Sequence, residues 1–130
     1  MSDPAVVLDA SALLALLLGE KGAERVVDLL PRASVSAVNL SEVAAKLGER
    51  GMPELGIRTA FGDLDLDVHA FDQEAAFAAG LLRQRTRDRG LSLGDRACLA
   101  LALRLDAIAA TADQAWAGLA LDGLRIELVR

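Results

Sequence analysis

The chain is short of the side chains that most often do chemistry unaided. It has one cysteine, Cys98, and one histidine, His69. A lone cysteine closes no internal disulfide, which fits a reducing compartment, and a cytoplasmic location is expected. One histidine excludes His-rich zinc sites and nuclease relays built on several imidazoles. A Ser-His-Asp triad would have to use His69, which lies in an acidic, strand-like stretch. There is no tyrosine, and the aromatics are Trp116, Phe61, Phe71 and Phe77. That argues against an aromatic platform for stacking single-stranded bases. The apolar run "ALLALLL" at 12–18 falls far short of the ~20 residues a bilayer span needs. Asp3 and Asp9 precede it and no Lys or Arg does, so the basic flank of a signal peptide is missing. It reads as a buried helix with no membrane role.

What is present is apolar and acidic. The 130 residues are 53% hydrophobic, enough for one domain over 1–130 whose core is Leu, Ala and Val. Formal charge is −5, which disfavours tight nucleic-acid binding by charge alone. The distribution is uneven. Residues 63–74 hold Asp63, Asp65, Asp67, Asp72 and Glu74 and no Lys or Arg, whereas 83–89 hold Arg83, Arg85, Arg87 and Arg89 against Asp88.

Periodicity and punctuation predict alternating strands and helices. Strands are expected at Ala5–Leu8, Ala33–Ser36, around Leu66, Val68 and Ala70 as an edge, at Ile108–Ala110 and at Arg125–Val129. Helices are expected at Ala12–Leu18, Ala23–Leu30, Leu40–Arg50, Glu54–Leu64, Gln73–Arg89 capped by Asp72, Leu93–Leu105 and Asp113–Leu119. This alternation implies an α/β fold, a parallel sheet covered on both faces.

Four carboxylates share one setting, a strand end or a helix start: Asp9 in "LDAS", Glu42 in "NLSE", Asp95 in "LSLGD" and Asp113 in "TAD". Each alone reads as helix capping. Asn39 with Glu42, and Ser92 with Asp95, have capping-box spacing, and an acid in a first turn gains ~0.3–1 kcal/mol from the helix dipole. Together they say more, because parallel α/β sheets bind ligands beyond the carboxyl ends of their strands. Glu42 also lies opposite the Leu40–Val43–Leu47 stripe, away from the core. Two carboxylates ~5 Å apart repel by about 3 kcal/mol at an effective dielectric of ~20. Acids gathered in one cleft therefore call for a divalent cation, and oxygen ligands suit Mg²⁺ or Mn²⁺. Phosphate chemistry is the leading use of such a site.

The ordered set "VVLDASALLALLL", "VSAVNLSEVAAKL", "LSLGDRACLALAL" and "AIAATAD" resembles PIN domains, and in particular the VapC-type toxin ribonucleases of toxin–antitoxin pairs. The resemblance implies a three-layer α/β/α fold with about five parallel strands in the order 3-2-1-4-5. It implies that Asp9, Glu42 and Asp95 hold one or two Mg²⁺ or Mn²⁺ ions, with Asp113 as a fourth, more peripheral acid. Ser11 and Thr111 match polar positions that orient carboxylate or water. The implied activity is endoribonucleolytic hydrolysis of RNA. The implied partners are a VapB-like antitoxin, over the leucine-rich first helix, and a second copy of the chain in a homodimer.

Arg96, next to Asp95, and Arg83 and Arg87, four residues apart, are candidate RNA contacts. Other acid-lined α/β folds fit less well. A receiver-type phosphoacceptor needs a lysine near its last strand, and both lysines here precede residue 50; a haloacid-dehalogenase-like phosphatase needs an acid at position 11, which is Ser. The remaining alternative is a PIN-like RNA- or protein-binding module without nuclease activity.

Overall fold

The computed structural model describes residues 3–130. Five strands, β1 (Val6–Leu8), β2 (Ala33–Ser36), β3 (Asp67–His69), β4 (Ile108–Thr111) and β5 (Arg125–Leu128), form one sheet in the order β3-β2-β1-β4-β5. Every neighbouring pair is parallel. Six helices connect them: α1 (Ala10–Leu17), α2 (Ala23–Leu29), α3 (Ala37–Glu49), α4 (Glu54–Leu64), α5 (Gln73–Arg85) and α6 (Leu93–Leu105).

The central strand shows how side-chain alternation makes two cores. Val6 and Leu8 of β1 join Leu13 of α1, Val26 and Leu29 of α2, and Val43 and Leu47 of α3. Val7 points to the other face, where Ala79 and Leu82 of α5 and Leu99 and Ala102 of α6 cover it. A parallel sheet buried on both faces needs such apolar runs. Trp116 is buried in the second cluster, which takes it away from any base-stacking role. Among the described residues, no helix is long and apolar enough to cross a membrane.

Helix starts follow local side-chain chemistry. Asp9, Ser36, Asp72 and Ser92 are extended and accept hydrogen bonds from the first turns of α1, α3, α5 and α6. Helix α3 begins at Ala37 rather than Leu40, because β2 runs straight into its Ser36 cap. Asn39 is therefore inside the helix, and Asn39–Glu42 is not a capping box. Ser92–Asp95 is one, with both reciprocal bonds present.

The expected helix to Arg89 stops at Arg85. Thr86 donates its hydroxyl to the Leu82 carbonyl (2.8 Å), and a short 3₁₀ turn, Arg87–Arg89, follows. A hydroxyl bonded back onto the preceding turn competes with regular helix. Pro31 does not end a helix but sits in the first turn of a 3₁₀ segment, Leu30–Arg32, where a missing N–H costs little. The segment after β4 is helical only over Gln114–Trp116.

Candidate active site

The acids collect where strands β1 and β4 end and helices α3 and α6 pass. The Asp9 amide donates to the Ala110 carbonyl (3.1 Å), carrying the β1–β4 ladder one residue past the strand. Its side chain, 4% exposed, caps α1 by accepting from the Ala12 amide (2.8 Å). It also accepts from Ser11 Oγ (2.8 and 3.0 Å) and from Thr111 Oγ1 (2.5 Å). Ser11 Oγ in turn accepts from the Ala112 amide (2.9 Å), and Thr111 Oγ1 from the Asp113 amide (3.0 Å). Two hydroxyls thus tie the ends of neighbouring strands to one carboxylate.

Burial pushes the Asp9 carboxyl up to about 6 from its ordinary 3.8. Hydrogen bonds from Thr111, Ala12 and Ser11 pull it back down, and the charge of Asp95 pushes it up again. Beneath the acids lies Cys98, fully buried, its sulfur 4.0 Å from the Val7 carbonyl. Burial raises this thiol well above its usual range, and the charges of Asp9, Asp95 and Glu42 all push the same way.

Glu42 and Asp95 are half-buried, one on α3 and the other on α6, which pack against each other. Asn39 Nδ2 donates to Glu42 Oε1 (2.8 Å) and to the Gly94 carbonyl (3.1 Å). Asp95 Oδ2 accepts from the Ser92 amide (2.9 Å). Asp113 is exposed and accepts from the Ala115 amide (2.9 Å), capping the short turn after β4. Each acid is thus a cap or a bonded side chain as well as a member of the cluster.

As these side chains lie, no three His, Cys, Asp or Glu residues among those described stand close enough to hold an ion. Each acid is held by hydrogen bonds of its own, Asp9 from Ser11, Ala12 and Thr111, Glu42 from Asn39, Asp95 from Ser92 and Asp113 from Ala115. The donor set nonetheless fits a hard cation: it is all oxygen, and Glu42 and Asp95 are each held through one carboxylate oxygen only.

The arginines divide. Arg96 is 9% exposed and donates to the Ala79 carbonyl of α5 (2.9 Å), so its guanidinium serves the α5–α6 contact and is not a free phosphate ligand. Arg83 and Arg87 are exposed, line a shared surface depression and pair with no acid among the described residues. Arg89 donates to the Ala115 and Ala117 carbonyls (2.9 and 3.1 Å), fastening the basic turn beside Asp113. His69 lies on the edge strand β3, 3.1 Å from Asp67, outside the acid cluster. Sequence reasoning did not single out Gly94, and it took Asn39 only as a cap. The available signal was a glycine in a helix's first turn beside an acid, with no turn to require it.

Comparison with known proteins gives a consistent result. A model of the PIN domain family matches residues 6–121. A VapC ribonuclease of Mycobacterium bovis is 33% identical over 107 residues, spanning 75% of this chain and 82% of that protein. Ribonuclease VapC42 of Mycobacterium tuberculosis matches to the same extent. Among solved structures, DNA-bound VapBC from Salmonella typhimurium superposes with a TM-score of 0.75 at 19% identity, covering 98% of this chain and 100% of that one. A toxin–antitoxin complex from Klebsiella pneumoniae gives 0.72 at 21%, covering 92% and 95%.

Proposed function

Because the chain belongs to the PIN domain family and, within it, to the VapC ribonucleases, we propose that it is the toxin of a toxin–antitoxin pair, a metal-dependent endoribonuclease that hydrolyses RNA phosphodiester bonds. The observation that carries this reading is the placement of Asp9 at the end of β1, Glu42 on α3 and Asp95 in the first turn of α6, where α6 packs against both α3 and β1. One or two Mg²⁺ or Mn²⁺ ions would be held by these three acids, with Asp113 as the exposed fourth. A bound ion supplies Lewis acidity, lowering the pKa of water and offsetting charge on the phosphoryl group.

The chain's own residues do the rest. Thr111, Ser11 and the Ala12 amide fix the Asp9 carboxylate, so its orientation exists before substrate arrives. Asp113, exposed where the Thr111 hydroxyl holds its amide, orients the attacking water or takes its proton. No histidine is required. Arg83 and Arg87, on the segment that leads into the N-terminus of α6, give an acidic protein a local track for RNA phosphates.

The test is RNA cleavage by the purified chain with Mn²⁺. Wild type is expected to cleave and to stop on chelation, and Asp9→Asn to lose at least about 100-fold. Metal-dependent cleavage by Asp9→Asn would sink the assignment; a wild type that binds RNA without cutting it would favour a binding module. Changing Arg83 and Arg87 together to Ala should raise KM and flatten the salt dependence of binding by about 1.4 logarithmic units per decade. An unchanged slope would remove both from the RNA path.

Two partners complete the reading. A VapB-like antitoxin suits the apolar side of the molecule, where α1 leaves Leu14, Leu16 and Leu17 partly exposed. A groove of about 650 Å³ lies between α3 and α4 on the same face. Co-expression with the product of an adjacent reading frame should yield a complex that no longer cleaves; free, active toxin from that experiment counts against the pairing. A homodimer suits the opposite face, where Phe77 and Leu81 stand exposed one turn apart on α5. Light scattering that reads a monomer at high concentration would refute it.

A further inference from the structure

We infer that Asn39 and Gly94 act together as positioning residues that set where the Glu42 carboxylate stands relative to Asp95. The inference rests on the function proposed above for this site. Helices α3 and α6 each contribute one acid, and one side chain joins them. Asn39, 1% exposed and three residues before Glu42, gives its amide to Glu42 Oε1 and to the carbonyl of Gly94, the residue before Asp95. Both partners are oxygens, so the amide presents its NH₂ group to them; the reverse orientation would set oxygen against oxygen.

Gly94 supplies the space. Its backbone is helical with φ negative, so no turn or left-handed conformation demands glycine there. Glycine is instead required by what lies against it. A Cβ on residue 94 would stand 2.3 and 2.4 Å from the two oxygens of Glu42 and 2.5 Å from Cδ. The Glu42 carboxylate thus occupies the volume that any other residue's side chain would claim. Gly62, in the last turn of α4, is the internal contrast: a Cβ there meets nothing within 4 Å.

The clash is with the far end of a flexible side chain, so Gly94→Ala displaces the carboxylate and spares the fold. Alanine is also the better helix former. A purely structural glycine would behave in the opposite way, losing stability before anything else.

The experiment compares the full-length wild type with Gly94→Ala, Gly62→Ala and Asn39→Ala. It reads metal-free melting temperature, Mn²⁺ affinity by electron paramagnetic resonance, and kcat and KM for RNA cleavage. Gly94→Ala is expected to melt at or above wild type, with Mn²⁺ affinity and kcat each lower by about 10–100-fold and KM unchanged. Gly62→Ala should match wild type in Mn²⁺ affinity and kcat. Asn39→Ala should show the same loss of Mn²⁺ affinity at a lower melting temperature. A Gly94→Ala protein that binds Mn²⁺ and cleaves like an active wild type overturns the positioning role alone, as does one whose losses merely track a lower melting temperature. A wild type that neither binds Mn²⁺ nor cleaves RNA overturns the functional reading and the positioning role with it.

Discussion

On the β1–β4 side of the cluster, Asp9 is 4% exposed and takes hydrogen bonds from two hydroxyls and a backbone amide. On the α3–α6 side, Glu42 and Asp95 are half-buried, one held by Asn39 and the other by its own capping box. Burial on the first side holds a charge against desolvation, so orientation there is obtained at the expense of stability. On the second side, a side chain of the same helix and a capping box orient two carboxylates that stay in touch with solvent. The two sides thus hold their acids differently: one carboxylate buried among donors, and two that keep contact with solvent.

Asp9→Asn breaks this asymmetry most strongly. The folded carboxyl titrates near 6 and the unfolded one near 3.8, so the folded state holds its proton more tightly. Stability is therefore highest below the unfolded value and falls as pH rises towards 6. The cost reaches up to about 3 kcal/mol and is constant above that. Asp9→Asn removes this cost. Without metal it should be more stable than wild type near pH 8, with the gap closing near pH 4, as read by denaturant titration across that range. A mutant less stable than wild type near pH 8 would mean that the bonds to Asp9 outweigh its desolvation.

Thr111→Val sharpens the contrast with a nearly isosteric change. It strips one donor from the buried carboxylate and one acceptor from the Asp113 amide. A loss of about 1–3 kcal/mol is expected near pH 8. The loss should shrink near pH 4, where Asp9 is protonated, and a pH-independent loss would place the energy in packing. Ser92→Ala makes the parallel cut on the other side. It should cost about 1 kcal/mol, the usual worth of an N-cap. The loss should be the same near pH 6 and near pH 8, because the serine hydroxyl does not titrate. A strong slope there would show that the cap is coupled to the ionisation of Asp9.

The elements that could be read from sequence are those governed by neighbours in the chain. Asp72 and the Ser92–Asp95 pair announce their helices because capping is local, and the alternation of Val6, Val7 and Leu8 suffices for a strand buried on both faces. The strand-end position of Asp9 and Asp113 followed from the same punctuation. Elsewhere, identical spacing had two structural meanings. Asn39–Glu42 has a capping box's interval, but only the direct join of β2 to Ser36 reveals that the helix is already under way. The run from Gln73 to Arg89 looks continuous until the Thr86 hydroxyl turns back to Leu82. Arg96 beside Asp95 resembles a phosphate ligand until α5 packs on α6 and offers the Ala79 carbonyl. The space at Gly94 belongs to the same class, since it has meaning only once α3 lies across α6.

The position of Cys98 gives the protein a built-in clock. As the chain's one thiol, sealed under the acid cluster with its proton held tightly, it can react with an alkylating reagent only after the floor of the site has opened. The rate of modification under native conditions thus measures how often that floor breathes. Whatever fastens β1 to α6 from above, whether a cation or an inhibitory partner, will slow the clock by a factor that reports its grip.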